Sequence, residues 1–324
     1  MSKKIALITG ATGQDGSYMA ELLLGKGYEV HGLVRRSSSG NTERIQHLLS
    51  KNLLTIHRGD VTDTSSVHHI VTSVLPDEIY HLASQSHVGT SFFQPEYTFD
   101  ATGVSALRFL ETLRHVRKPI KFYQASSSEM FGNSQSPPQN ENTPFKPASP
   151  YAIAKVMAHQ AAWHYRDAYG IFAVGGILFN HESPRRGEEF VTRKITSAIS
   201  KIKAGLAKEV VLGNMQARRD WGYAPEYMEA VWNMMHYPTP EDFVIATGET
   251  HSVEEFLNSA CSVAGLNPAD ILRIDQSQMR PSDVSNLCGD SAKAKRLIGW
   301  NPKVHFQELV KIMVEADLKK YGVC

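Results

Sequence analysis

Tyr151 and Lys155, in "SPYAIAK", stand four residues apart, the spacing of a shared helix face. A lysine cation beside a phenol favours phenolate and draws a tyrosine below its ordinary value of about 10. Such a pair can act as general acid and base on a sugar hydroxyl or carbonyl. Taken alone, a YxxxK spacing recurs by chance and is more often an ordinary helix-surface pair. A second group stands in "KFYQASSSEMFG", where an apolar run gives way to serines, Ser127 among them, and then to Glu129. A lone glutamate after a strand is commonly a solvated side chain; near a tyrosine base it is a candidate for a second proton transfer.

These residues need a partner that accepts electrons, and the N-terminus has the pattern for one. "ITGATGQDGS" carries glycines at 10, 13 and 16 between an apolar run and an amphipathic one. Gly10 suits a tight turn, Gly13 a close backbone approach to a pyrophosphate, and Gly16 close helix packing, with a helix N-terminus facing the phosphates. A glycine-rich turn without a ligand is the bland reading, but the strand-turn-helix context that the motif requires is met. The second run ends in "VRRSSS", with Arg35 and Arg36 and no acid. Arginine pairs with a ribose 2′-phosphate where a carboxylate would repel it, so the pattern favours NADP over NAD. Two arginines covering a solvated strand end are the alternative. Asp60, in "RGDV", is placed to meet the adenine edge, and "HLASQS" (His81 to Ser86) to pass the phosphates and nicotinamide ribose.

The elements that must hold these groups alternate. Strand candidates are "KIALITG", "EVHGLVRR", "LLTIHRGD", "DEIYHLAS", "KFYQASSS" and "IFAVGGILF"; helical stretches between them include "SYMAELLLGKG", "DTSSVHHIVTSVL", "GVSALRFLETLRHV" and "SPYAIAKVMAHQAAWHYRDAYG", with Gly27 and Gly170 as helix ends. Nearly continuous apolar strands alternating with helices predict an α/β doubly wound parallel sheet, a Rossmann fold with ligands at the strand C-termini. After Phe179 the segments are shorter, with "VVLGN" and "FVIATGE" as strands and "FQELVKIMVEADLKKY" as a closing helix. This predicts a dinucleotide-binding domain over 1–180, a smaller substrate lobe over 181–324, and segments near 210–250 returning to the sheet.

Composition narrows the partners. A 324-residue chain with 42% hydrophobic and 21% charged residues is ordinary for a folded protein. A net charge of +1 argues against nucleic acid. The cysteines, Cys261, Cys288 and Cys324, are far apart and suit a reducing compartment. The fourteen histidines form no ligand array, and the adjacent His68 and His69 do not share a helix face, so no metal is expected. No apolar run is long enough to span a membrane, and "MSKKIALITG" enters a strand at once, which leaves no room for a signal peptide; the expectation is a cytoplasmic protein.

The glycine loop, "YHLASQSHVG", "YQASSSEMFG" and "SPYAIAK" together resemble an extended short-chain dehydrogenase/reductase. "GATGQDGSYMAELLLGKGYEVHGLVRRSSS", "GILFNHESPRRGEEFVTRKIT", "LGNMQARRDWGYAPEYMEA" and "ATGETHSVEEF" resemble the GDP-mannose 4,6-dehydratases over nearly the whole chain. The resemblance implies NADP, a GDP-sugar substrate and an internal redox cycle in which Tyr151 takes the O4 proton. Glu129 then takes the C5 proton and assists loss of the C6 hydroxyl, with Ser127 and Lys155 as their partners. It assigns Gly10, Thr12, Gly13, Gln14, Asp15, Gly16, Arg35, Arg36, Asp60, Val61, Leu82, Ala83, Ser84, Gln85, Ser86, Tyr97, Lys155, His181 and Arg186 to the cofactor. To the substrate it assigns Ser86, Asn180, Glu189, Val191, Lys194, Arg219, Arg280 and Asp283; without it, Arg218 and Arg219 read as surface charges. "ESPRRGEEF" resembles a loop that crosses between subunits and carries Arg185 and Arg186 to a neighbour's cofactor, within a homotetramer built as a dimer of dimers. The chain departs from the family pattern at Ser127 (usually threonine), His81 and Ser84 (usually asparagine and alanine) and Asp283 (usually glutamate). A GDP-manno-heptose as the sugar, a GDP-4-ketosugar reductase or epimerase, and a non-catalytic NADP-binding regulator remain alternatives.

Overall fold

In the computed structural model, which describes residues 3–38, 40–134 and 137–323, the first element is the strand β1 (Ile5–Thr9). Ser39 and Cys324 lie outside the described residues. Five further strands follow where the apolar runs predict them: β2 (Glu29–Val34), β3 (Leu54–Arg58), β4 (Glu78–His81), β5 (Lys121–Ser127) and β6 (Ala173–Leu178). A seventh, β7 (Phe243–Ile245), arises from "FVIATGE" and pairs with β6, Phe243 opposite Gly176. All pairings in this sheet are parallel, in the order β7-β6-β5-β4-β1-β2-β3. The order reverses between β1 and β4, so the crevice for a ligand opens at their C-terminal ends.

Strand side chains alternate between two buried faces. Ala6, Ile8, Tyr80 and Tyr123 pack with Met19 and Leu23 of α1 (Gln14–Gly25) and with Met228 and Val231 of a later helix (Ala224–His236). Leu7, Ile79 and Phe122 face the other way, onto Ile70 of α2 (Thr64–Val74), Phe109 of α3 (Ser105–His115) and Ala162 of α4 (Pro150–Tyr169). Both faces being dry explains why the strands read as apolar runs.

Helix α4 is fixed at both ends by its sequence. The Ser149 hydroxyl accepts from Ala152 N at 3.1 Å, Pro150 occupies the first turn, and Gly170 closes the helix at φ 65°. Tyr151 and Lys155 therefore stand on the first turns, beside the end of β5.

The second core joins α5 (Val191–Lys203), α6 (Val253–Ala264) and α7 (Phe306–Lys320), with Phe256, Leu309 and Met313 at its centre. Short strands rim it. "VVLGN" contributes Val210–Leu212, parallel to Leu272–Ile274, and Arg218–Arg219 lies between His251–Ser252 and Asn286–Leu287. Asn180–Glu182, just past β6, pairs with Trp221–Tyr223 and ties the two cores together.

Candidate active site

The turn from β1 into α1 has the geometry its glycines predict. Gly10 has φ 71°, and its carbonyl accepts from Gly13 N at 2.9 Å. A Cβ on Gly16 would lie 2.7 Å from Ala11 Cα, so only glycine lets the helix seat this closely on the turn. Thr9 Oγ1 accepts from Leu82 N (3.1 Å) and Ala83 N (3.0 Å), which joins the end of β1 to the segment after β4. Its own proton then goes to His81 Nδ1, 2.9 Å away. This leaves His81 Nε2–H to donate to Ser105 Oγ at 3.1 Å, since the Ser105 hydroxyl already donates to Ala101 O. Burial lowers His81 to about 3, so it is a neutral bracket between the two strands.

From this turn a cleft of about 940 Å³ runs across the sheet edge into the second lobe. Along it lie the glycine turn with Thr12, Gln14 and Asp15, then Arg35, Asp60, Val61, Leu82, Ala83, Ser84, Ser86 and Tyr97. The chemical group Ser127, Glu129, Tyr151 and Lys155 follows, and then Asn180, His181, Arg186, Glu189, Val191, Lys194, Arg219, Arg280 and Asp283. Two expected residues stand outside its lining. Arg36 borders a side cavity of about 410 Å³ with Arg35, Asp60, Asp63 and Ser66. Gln85 turns into its own loop, accepting from His87 N and donating to His87 O and Thr98 Oγ1.

At the chemical end, Ser127 Oγ accepts from Glu129 N at 3.2 Å and stands beside the Tyr151 phenol, where it favours the phenolate. Glu129, Tyr151 and Lys155 are all buried. Lys155 Nζ donates to Ala125 O at 2.6 Å and lies 5.7 Å from the centre of the Tyr151 ring. One expectation is corrected here: Lys155 does not draw Tyr151 below its ordinary value. Burial pushes the phenol up to about 12, with Glu129 and Asp15 adding to the rise and Ser127 and Arg186 opposing it. Burial also lowers Lys155 to about 8, against the attraction of Asp15. Sequence supplies the neighbours of a phenol but not its dielectric surroundings.

Beside this group, His181 Nδ1 faces the Phe179 carbonyl at 2.7 Å and Nε2 faces Asp15 Oδ2 at 2.9 Å. Two acceptors require two donors, so the ring is an imidazolium. Burial alone would lower His181; the Asp15 charge and hydrogen bond outweigh it and raise the ring, while Asp15 falls to about 2.

Arg219 is buried, not a surface charge. Its Nε lies 3.8 Å from Glu129 Oε1, Nη1 donates to Val284 O at 2.7 Å, and Nη2 to Asp283 Oδ1 at 3.3 Å. The adjacent Asp220 carboxylate accepts from Thr247 N, Thr247 Oγ1, Gly248 N and Gly289 N, which fixes that strand in place.

The segment "ESPRRGEEF" packs against its own chain at both arginines. Arg185 donates to Ser17 Oγ (3.1 Å) and Glu21 Oε1 (2.6 Å) of its own α1 and stacks on Tyr18. Arg186 enters its own chain's cleft, with Nε 3.1 Å from Glu182 Oε2 and its guanidinium 3.8 Å from the Phe190 ring centre. Arg193 holds the loop by donating Nη1 to Pro184 O and Arg186 O, and it is itself gripped at Nε and Nη2 by Asp317 of α7.

Sequence reasoning passed over Arg44, His87, Glu182 and Phe190, which also line the cleft. Arg44 donates to Arg185 O and Thr12 O, a bridge between segments remote in sequence that no local pattern announces. Asn180 Oδ1 is buried with no protein partner, an acceptor left for a ligand. No cluster of three potential metal ligands occurs among the described residues.

A family profile described as GDP-mannose 4,6 dehydratase matches residues 7–313. The chain belongs to the GDP-mannose 4,6-dehydratase family. It is 55% identical to GDP-mannose 4,6 dehydratase 2 of Arabidopsis thaliana over 327 aligned residues, covering 98% of this chain and 87% of that one. It is 48% identical to the human GDP-mannose 4,6 dehydratase, covering 98% and 92% of the two chains. Among solved structures, the Thermus thermophilus UDP-glucose 4-epimerase in complex with NAD superposes with a TM-score of 0.85 at 26% identity, covering 97% of this chain and 98% of that one. This dehydratase-family chain thus shares its whole architecture, not only its glycine loop, with nucleotide-sugar enzymes.

Proposed function

We propose that this protein is a GDP-mannose 4,6-dehydratase, converting GDP-D-mannose into GDP-4-keto-6-deoxy-D-mannose and water. The observation that carries the reading is the meeting of Glu129 with Tyr151, through Ser127, in one buried corner of the cleft. A simple reductase needs one proton-transfer group; an elimination needs a second.

The glycine turn and the α1 N-terminus fit the pyrophosphate of a dinucleotide, since a Cβ at Gly10 would crowd Ala83 N and one at Gly16 would crowd the turn. Arg35, with no acid at the end of β2, supports NADP as the cofactor. When bound, NADP supplies the hydride acceptor for C4 and the hydride donor for C6. Tyr151, as phenolate, takes the proton from O4; the Ser127 hydroxyl and the Arg186 charge favour that anion against the burial that opposes it, and Lys155 stands beside the ring as a cation. The 4-ketone so formed acidifies the C5 hydrogen. Glu129 removes that proton and returns it to the departing C6 hydroxyl, so that water leaves and the carboxylate is regenerated; as C6 regains hydride, Tyr151 passes the proton it took from O4 to C5, which completes the product and restores the phenolate. Lys194, Arg219 and Arg280 give cations for the diphosphate, and Asn180 Oδ1 an acceptor for a substrate hydroxyl.

We also read the protein as a cytoplasmic homotetramer. Exposed Ile153 and Met157, one turn apart on α4, with Phe93 at 85% exposure, support a contact between copies. No helix among the described residues is long and apolar enough to cross a membrane.

Mass spectrometry tests the reaction, the cofactor and the assembly on one preparation. GDP-mannose incubated without added reductant should lose one water with the wild type, and Glu129→Gln should slow that loss by roughly 10²–10⁴-fold. The denatured sample should release NADP rather than NAD, and the native spectrum should show four chains. A variant as fast as wild type would remove Glu129 from the mechanism, and no water loss by wild type would overturn the function.

A further inference from the structure

His87 is a cleft residue that the proposed mechanism does not use. Its backbone is pinned on both sides, His87 N donating to Gln85 Oε1 at 2.8 Å and His87 O accepting from Gln85 Nε2 at 3.1 Å. Its ring is fixed as well. Thr90 N donates to His87 Nδ1 at 3.1 Å, and the ring meets Phe190 edge-on with centroids 5.6 Å apart.

The backbone bond decides the tautomer. An N–H can only donate, so Nδ1 carries no proton and the hydrogen of the neutral ring sits on Nε2. Among the described residues Nε2 has no acceptor. Burial holds the ring below its ordinary pKa, and Arg280 and Arg186 push it the same way against Glu189, so it stays neutral at pH 7. The cleft thus contains a rigid, uncharged donor, flanked by Arg280 at the phosphate end and Arg186 at the chemical end.

We propose that His87 Nε2–H donates a hydrogen bond to a non-reacting hydroxyl, at C2 or C3, of the substrate's hexose. The inference rests on the dehydratase reading and deepens it. The diphosphate already has Lys194, Arg219 and Arg280, and a neutral imidazole adds little to three cations. The reacting oxygens at C4 and C6 are served by Ser127, Tyr151 and Glu129. The remaining polar groups between them are the C2 and C3 hydroxyls, and a site built to bond a hydroxyl discriminates strongly against a sugar that lacks it. His87 is then a specificity residue and takes no part in proton transfer.

The test is His87→Asn. Asparagine caps the 88–91 turn through Oδ1 as histidine does through Nδ1, yet it cannot reach into the cleft. The NADP-loaded variant should lose roughly 10–100-fold in kcat/KM for water loss from GDP-mannose. Its affinity for GDP alone and its NADP content should match the wild type. With GDP-2-deoxymannose and GDP-3-deoxymannose, one analogue should cost the wild type a similar factor and cost the variant nothing further. A variant within twofold of wild type on GDP-mannose refutes the contact. An equal loss of GDP affinity moves His87 to the diphosphate and refutes it too, as do analogue losses that multiply with the substitution. A wild type that removes no water from GDP-mannose overturns the dehydratase reading first, and this inference with it.

Discussion

One substitution made at two positions of α1 should have opposite effects. At Gly16 a Cβ would meet Ala11 Cα at 2.7 Å and Gly10 C at 2.9 Å. Both are backbone atoms of the dinucleotide turn, which cannot rotate aside as a side chain can. Restoring an ordinary contact of about 3.4 Å or more demands a shift of about 0.7 Å from Ala11 Cα and more from Gly10 O, the nearest atom of all. At Gly25 a Cβ would meet nothing within 4 Å among the described residues, and the backbone is helical. Gly16→Ala should therefore destabilise by roughly 1–3 kcal/mol. It should also move the α1 N–H groups off the pyrophosphate: each hydrogen bond to a charged oxygen contributes about 1.5–3 kcal/mol, so losing one weakens NADP binding by roughly 10–100-fold. Gly25→Ala should stabilise by about 0.5–1 kcal/mol with binding unchanged. Urea unfolding and a fluorescence titration with NADPH, run on both variants, measure the two effects. If Gly16→Ala matches the wild type in both assays, or if Gly25→Ala falls as far as Gly16→Ala, the steric account of the loop is wrong.

The remaining expectations concern buried charge. Asp317 is buried and accepts from Arg193 Nε (2.8 Å), Arg193 Nη2 (2.6 Å) and Thr196 Oγ1 (2.7 Å). Asp317→Asn leaves the guanidinium without its counter-ion and should cost about 3–5 kcal/mol in urea unfolding, whereas a loss under about 1 kcal/mol would mean that the pair is solvated. The Asp15–His181 pair should give a stability plateau in acid. Asp15 falls from 3.8 to about 2, so its contribution of about 2 kcal/mol is present above 3.8 and lost as pH falls towards 2. His181 is raised above 6.5, so its contribution is complete below 6.5 and lost as pH rises through the raised value. Unfolding free energies of wild type and His181→Gln, compared from pH 3 to 9, should differ most between about 4 and 6.5; a difference independent of pH would refute the imidazolium assignment.

How much of this was legible in the sequence follows from the range of each interaction. The six strands and α4 are written locally, because a strand buried on both faces must be apolar throughout and Ser149, Pro150 and Gly170 mark the ends of a helix. "FVIATGE" reads as a strand among the segments expected to return to the sheet, but nothing local names β6 as its neighbour there. The site divides in the same way. Residues carried on one short motif, such as Gly10 to Gly16 or Tyr151 with Lys155, come together as their spacing implies. Arg219 reads as a site residue only through the family resemblance, not through its local sequence, because its partners Glu129, Asp283 and Val284 lie 64 or more residues away.

Arg185 shows the same limit in a form that bears on function. Read locally it is half of an ordinary basic "RR" turn; within the chain its partners are Ser17, Tyr18 and Glu21, more than 160 residues earlier. Those three sit on the helix that follows the glycine turn, while Arg186 beside it enters the chemical end of the cleft. Arg193 grips the same loop from behind and is anchored by Asp317 on the last helix. The loop from Ser183 to Phe190 is thus tied to α1 on one side and to the second lobe on the other. Its geometry couples the glycine turn, the Tyr151–Glu129 corner and the second lobe, so on the proposed mechanism a change at Asp317 should be felt at the chemistry although no atom of Asp317 lines the cleft.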